Sequence, residues 1–196
     1  MAHGIELKEE VFEMLKEHCL KILDNNEVKT VDEIMMELMD YPEIPMHYPY
    51  HHFIMPASLL TAAALEKEIP KEELSEMLDT AIVRSKDILG GFCGNYGACG
   101  AGVGAGMFLS IYTDTSPLSG TSWQWANELT GICLQSIGKI PGPRCCKRTA
   151  FLSIEASIPY INEKLDMHLK ISEDLYCKYS EYNNECKKEV CPYYKK

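Results

Sequence analysis

Apolar residues Ile5, Leu7, Val11, Phe12, Leu15, Cys19 and Ile22 recur near helical spacing, which predicts a first amphipathic helix over 5–24. The polar run "NNE" ends it. Thr30 followed by Glu33 forms the pattern of a capping box and opens a short helix rich in Met and Leu. Pro42, Pro45 and Pro49 then forbid regular structure until Pro56, which suits the first turn of "PASLLTAAALEKE" because its missing N–H is not needed there. "PKEELSEMLDTAIVRSKDIL" begins at Pro70 with acidic residues at the positive end of a helix and stops at Gly90-Gly91. Further helices are expected from near Ser122 past Cys133, and over 147–167 with a kink at Pro159. No run combines β-branched enrichment with alternation. The pattern predicts an all-α fold. A single-domain helical bundle covers 1–171, with a central Gly-rich helix, and a Cys-rich metal-binding tail at 172–196 packs on it.

Charge and composition narrow the function classes. The 196 residues carry a formal net charge of −10, whereas a nucleic-acid binder needs a basic face over phosphates. No nucleic-acid partner is expected. The N-terminal "MAHGIELKEEVF" lacks the charged and apolar regions of a signal peptide, so a cytoplasmic setting is expected. Residues 88–113 are uncharged over a span long enough for a bilayer, yet their first half is mainly Gly, Cys, Asn and Tyr. Such a segment gains little in lipid, and no membrane role is expected.

The stretch "GFCGNYGACGAGVGAG", residues 91–106, sets reactive thiols in unprotected backbone. In a helix, Gly100, Gly102, Gly104 and Gly106 would each cost about 1 kcal/mol relative to alanine. Close approach of another backbone could offset that, as could N–H groups converging on an anion or a cluster sulfur. Gly94, Gly100, Gly102 and Gly104 are therefore candidate cofactor-binding positions. Gly100, Gly102 and Ala105 match G-x-G-x-x-A, but the preceding strand is missing and there is no Walker lysine, which argues against a nucleotide site.

Nine cysteines are many for a compartment that keeps thiols reduced. Cys19 and Cys133 fall in apolar helical patterns and read as core residues. The other seven form three groups: Cys93 with Cys99, the adjacent pair Cys145-Cys146, and Cys177, Cys186 and Cys191 in the tail. A disulfide between neighbouring residues is strained, so at least one of the pair is free or ligating. Arg144, Lys147 and Arg148 flank it and favour thiolate. The tail cysteines lie in polar sequence with little apolar material to pack against, which points to a metal centre that ties the segment down. Cys191 is followed by proline, as in cluster-binding runs, and no C-x-x-C of the zinc type occurs. The candidate ligands are Cys93, Cys99, Cys145, Cys146, Cys177, Cys186 and Cys191. An iron–sulfur cluster, [4Fe–4S] in type, is the expected cofactor, with zinc as the alternative. His47, His51 and His52 lie in "MHYPYHHF", where Pro49 interrupts any shared helix face. If the chain is instead a thiol enzyme, Cys145 or Cys146 is the candidate nucleophile, with His51 or His52 as base.

Together "MHYPYHHFIMPA", "CGNYGACGAGVGAG", "GPRCCKR" and "C…NNEC…CPYY" resemble an uncharacterised family of cysteine-rich proteins of anaerobic bacteria and archaea, over most of residues 42–191. Some members of that family are joined to methyltransferase or radical-SAM contexts. The family's histidine motif resembles "MHGPEHHF"; Tyr48 and Tyr50 replace two of its residues here. "CGAGVG", at Cys99 to Gly104, is also similar to a CGA-x-x-G signature of redox-active proteins. The resemblance implies an anaerobic cytoplasmic setting and a redox or methyltransferase protein partner. Three functions follow as expectations: a redox iron–sulfur protein, a thiol-dependent or sulfur-handling enzyme, and a zinc-stabilised accessory module of a methyltransferase.

Overall fold

A computed structural model describes residues 6–195, which fold into eight helices and, among the described residues, no strand. The all-α expectation holds. The helices are α1 (Glu9–Asp24), α2 (Val31–Met39), α3 (Tyr50–Lys67), α4 (Lys71–Lys86), the single turn α5 (Phe92–Asn95), α6 (Gly100–Tyr112), α7 (Thr121–Gly138) and α8 (Cys146–Leu165). Ile5, part of the expected first helix, lies outside the described residues; Leu7 and Lys8 are not helical, and α1 starts at Glu9. The capping box at Thr30 and Glu33 is present in both directions and fixes the start of α2.

α3 differs from its expected start. It begins at Tyr50, six residues before Pro56, so that proline stands inside the helix rather than in its first turn. Pro56 cannot donate to the His52 carbonyl, a loss that a helix in a dense core can absorb through its packing. Fourteen residues of α3 are buried, and it packs on α1, α2, α4, α6 and α8. The early start carries His51 and His52 into the helix. α8 likewise runs without interruption through Pro159.

The Gly-rich segment is α6, central as expected, held between α3, α7 and α8. Its glycines are notches for neighbouring helices. A Cβ on Gly106 would meet Thr130 Oγ1 at 1.9 Å and the Ala126 carbonyl at 2.6 Å, both on α7. One on Gly102 would meet Leu134 of α7 at 2.8 Å, and one on Gly104 would meet Pro56 and Met55 of α3 at 3.0 and 3.1 Å.

After α8 the chain is irregular apart from two short 3-10 turns, Ser180–Tyr182 and Lys188–Val190. It is nevertheless tied to the helices. The Val31 amide donates to the Lys170 carbonyl at 3.0 Å, and the Ser172 amide to Asp32 Oδ1 at 2.9 Å. Tyr179 donates to Asp40 Oδ1 at 2.8 Å. Tyr193 is buried edge-on against Phe151 and donates to Glu155. Within the segment, the Cys177 amide donates to the Tyr193 carbonyl at 2.7 Å and closes it into a loop.

Candidate functional site

The seven clustered cysteines regroup in space. Cys145, at the start of α8, joins Cys177, Cys186 and Cys191 around one enclosed void of about 10 Å³, room for about one water. Cys146, the next residue, faces the other way. It lines an open cleft of about 550 Å³ with Cys93, His47, His52, Phe92 and Arg144. Cys99 is the N-cap of α6 and does not line that cleft. The boundary between the two places is the peptide bond from Cys145 to Cys146.

Consider the enclosed side first. Cys145 has extended backbone and caps α8: its Sγ accepts from the Arg148 amide at 3.5 Å and from Asn183 Nδ2 at 3.4 Å. Cys186 Sγ accepts from the Lys188 amide at 3.4 Å. Burial pushes the Cys177 thiol up to about 11 and raises Cys191 as well. Two cations are sealed in with these sulfurs. Lys147 is 1% exposed and Arg148 4% exposed. Lys147 Nζ donates to the Met39 carbonyl at 3.4 Å and lies 4.6 Å over the Tyr179 ring; burial lowers its pKa to about 8. Arg148 donates to the Pro143 carbonyl at 2.8 Å, and its Nε is buried without a partner. Among the described residues neither cation has a carboxylate within 4 Å. Buried charge without a counter-ion is costly, so this pocket favours an anionic occupant.

On the cleft side the histidines take three different roles. His52 Nδ1 donates to the Ile88 carbonyl at 3.0 Å, which leaves Nε2 as an acceptor turned toward the start of α6. Burial lowers its pKa to about 4, so the ring is neutral at ordinary pH. Gly100 has no side chain because His52 occupies the space: a Cβ there would lie 2.1 Å from the ring. His51 turns into the core instead and does not line the cleft. Its Nδ1 donates to the Tyr48 carbonyl at 2.9 Å, its Nε2 is buried without a partner, and burial lowers its pKa strongly. His51 is therefore placed as a neutral core group, away from the base role expected of it.

His47 connects the two sides. Its Nδ1 accepts from the Cys146 amide at 3.4 Å, and its Nε2 donates to Asn183 Oδ1 at 3.1 Å. Oδ1 also accepts from the Glu185 amide at 2.9 Å, which fixes the Asn183 amide so that Nδ2 faces Cys145 Sγ. A continuous set of hydrogen bonds thus runs from Cys146 through His47 and Asn183 to Cys145.

The other expected site residues divide as follows. Gly94 lines the cleft and Gly100 adjoins it beside His52. Gly102 and Gly104 lie close against Leu134, Met55 and Pro56 of the neighbouring helices. The expected thiolate character of Cys146 is opposed by burial, which raises its pKa to about 12 despite Arg144. Cys19 and Cys133 are fully buried in the core as expected, each with a pKa pushed up to about 12. Asn183 and Thr149 did not stand out in the sequence. The turn-forming "NNEC" is the one sequence signal that could have marked Asn183. Among the described residues, no three His, Cys, Asp or Glu side chains stand close enough to share a single metal ion. Among the described residues, no helix is long and apolar enough to cross a membrane.

The model of a family of unknown function, DUF5714, matches residues 15–194, and the chain belongs to that family. No curated protein and no solved structure matches it.

Proposed function

We propose that this DUF5714 protein is a redox protein that holds an iron–sulfur cluster on Cys145, Cys177, Cys186 and Cys191 and exchanges electrons with the adjoining cleft. The observation that carries the reading is the meeting of four thiols with two buried cations that have no carboxylate partner. Four thiolates around a [4Fe–4S] core leave a net negative group, which is the counter-ion that Lys147 and Arg148 lack. The donor set fits in kind: four cysteines is the usual complement of such a cluster, and Asn183 and the Arg148 and Lys188 amides already point N–H groups at sulfur. The present void is narrower than a cluster. Seating one requires the wall carrying Cys177, Cys186 and Cys191 to move outward, and that wall is the irregular part of the chain. When bound, the group would supply one-electron chemistry. The protein's own residues would balance its charge and donate hydrogen bonds to its ligand sulfurs.

Cys191-Pro192 and the lack of C-x-x-C favour the cluster over zinc. The test is anaerobic purification of the full chain, with iron, zinc and acid-labile sulfide assayed and the reduced protein examined by electron paramagnetic resonance. About four iron and four sulfide per chain are expected. Cys145→Ser, Cys177→Ser, Cys186→Ser and Cys191→Ser should each lose most of it, while Cys93→Ser and Cys99→Ser keep it. Zinc without sulfide, or iron retained when Cys145 and Cys177 are both replaced, would overturn the reading.

A further inference from the structure

The cleft thiols are not needed as ligands in the four-cysteine site, and their placement suggests a chemistry of their own. Cys99 and Cys146 stand at the starts of α6 and α8, two helices that pack on each other. The Cys99 thiol lies against the Thr149 hydroxyl. Thr149 is one turn along α8 from Cys146, on the same helix face, and its hydroxyl donates to the Cys145 and Cys146 carbonyls at 3.1 and 3.2 Å. That contact sets Cys99 beside the first turn of α8. The two thiols are not equivalent, because Cys146 lines the cleft and Cys99 does not. His52 presents the Nε2 lone pair of a neutral imidazole at the same helix start. The cleft is of a size that takes small molecules.

From this juxtaposition we infer that Cys99 and Cys146 form a dithiol–disulfide couple that reduces small-molecule disulfides entering the cleft. The chemistry balances in three steps. The Cys146 thiol gives up its proton, and its sulfur attacks one sulfur of a disulfide RSSR, forming Cys146–S–S–R and releasing RS⁻. Cys99 loses its proton and attacks Cys146 Sγ, which breaks the mixed disulfide, releases the second RS⁻ and leaves a Cys99–Cys146 disulfide. The two protons lost by the cysteines appear as two RSH. Two electrons and two protons then restore the dithiol. The reductant is a low-potential one-electron donor protein acting twice; a cluster held by the four cysteines, one peptide bond away, would supply the electron route. The electron route rests on the cluster reading above; the couple does not.

The experiment uses the full chain, purified without air and equilibrated in a series of reduced and oxidised dithiothreitol buffers. Samples are acid-quenched, alkylated after denaturation and mapped as peptides, with iron measured on the same material. Cys99 and Cys146 should become linked together in a single two-electron transition. With cystine as probe, Cys99→Ser should trap a mixed disulfide on Cys146, at least tenfold more than the wild type retains. Cys93→Ser should leave the linkage intact. Free Cys99 and Cys146 at every buffer ratio, or cystine trapped on Cys93 instead, would overturn the couple. Iron present without the linkage refutes the couple alone. The linkage without iron refutes the cluster reading and the electron route, and upholds the couple.

Discussion

Gly106→Ala is the sharpest probe of how α6 is held in the centre of the bundle. Alanine in a helix gains about 1 kcal/mol over glycine from backbone propensity alone. Against that gain, the new Cβ would meet Thr130 Oγ1 at 1.9 Å and the Ala126 carbonyl oxygen at 2.6 Å. The two obstacles belong together, since the Thr130 hydroxyl donates to that same carbonyl at 3.1 Å. A hydroxyl can rotate, but a helical carbonyl cannot, so α6 and α7 must separate. Overpacking of this kind costs about 1–3 kcal/mol, and the backbone contact puts Gly106 in the upper half of that range. The net loss expected is about 1–2 kcal/mol. Gly102→Ala would meet half-buried Leu134, its Cδ2 at 2.8 Å and its Cγ at 3.1 Å, while the nearest backbone atom lies at an ordinary 3.4 Å; the side chain can shift, so stability should lie between no change and a gain of about 1 kcal/mol. Urea unfolding monitored by circular dichroism measures both variants. Gly106→Ala/Thr130→Ala should remain less stable than Thr130→Ala, because the carbonyl contact persists. A higher melting temperature for Gly106→Ala would refute the argument, as would full rescue in the double variant.

Three further outcomes are expected. Lys147→Met removes a buried cation beside the four thiols, so iron content should fall, or the reduction potential of the remaining centre should move negative in a dye titration; unchanged values for both would deny Lys147 its role as counter-ion. Burial raises the Cys19 thiol from 9.0 to about 12, so the folded state holds that proton longer than the unfolded one and stability falls as pH rises from 9 toward 12. Cys19→Ala should therefore lose less stability than the wild type between pH 7 and about pH 10.5, by about 2 kcal/mol in urea titrations, and parallel losses would contradict the assignment. Gly100→Ala forces the His52 ring out of its seat, so cystine trapping on Cys146 in a Cys99→Ser background should slow severalfold; an unchanged rate would show that His52 takes no part.

Much of the helical framework was legible because it depends on local chemistry. Thr30 and Glu33 announce α2, and Pro70 with its acidic followers announces α4. The start of α3 was not legible. Pro42, Pro45 and Pro49 read as interruptions and Pro56 as a first-turn residue, and only packing of the Pro56 ring against Gly104 shows why the helix takes that proline in its interior. The site was half legible. Thiol density marked the right residues, but sequence adjacency grouped Cys145 with Cys146, whereas the helix start directs them to opposite sides. The basic run "RCCKR" read as favouring thiolate. In the folded chain Lys147 and Arg148 are buried, and desolvation outweighs nearby charge at Cys146. Such effects depend on what the irregular segment after α8 covers, which local sequence does not encode.

The division at Cys145 and Cys146 also bears on which changes this stretch can survive. Along a helix each residue turns the next side chain by about 100°. Inserting or deleting one residue between Cys146 and Thr149 would rotate the start of α8 relative to the rest of the helix. Cys145 would leave the enclosed void, Cys146 would leave the cleft, and Lys147 and Arg148 would lose their seats together. A point substitution can damage one compartment and spare the other, but a length change damages both at once. In a library of variants, the segment should therefore tolerate replacement at Arg144 far better than any single-residue insertion.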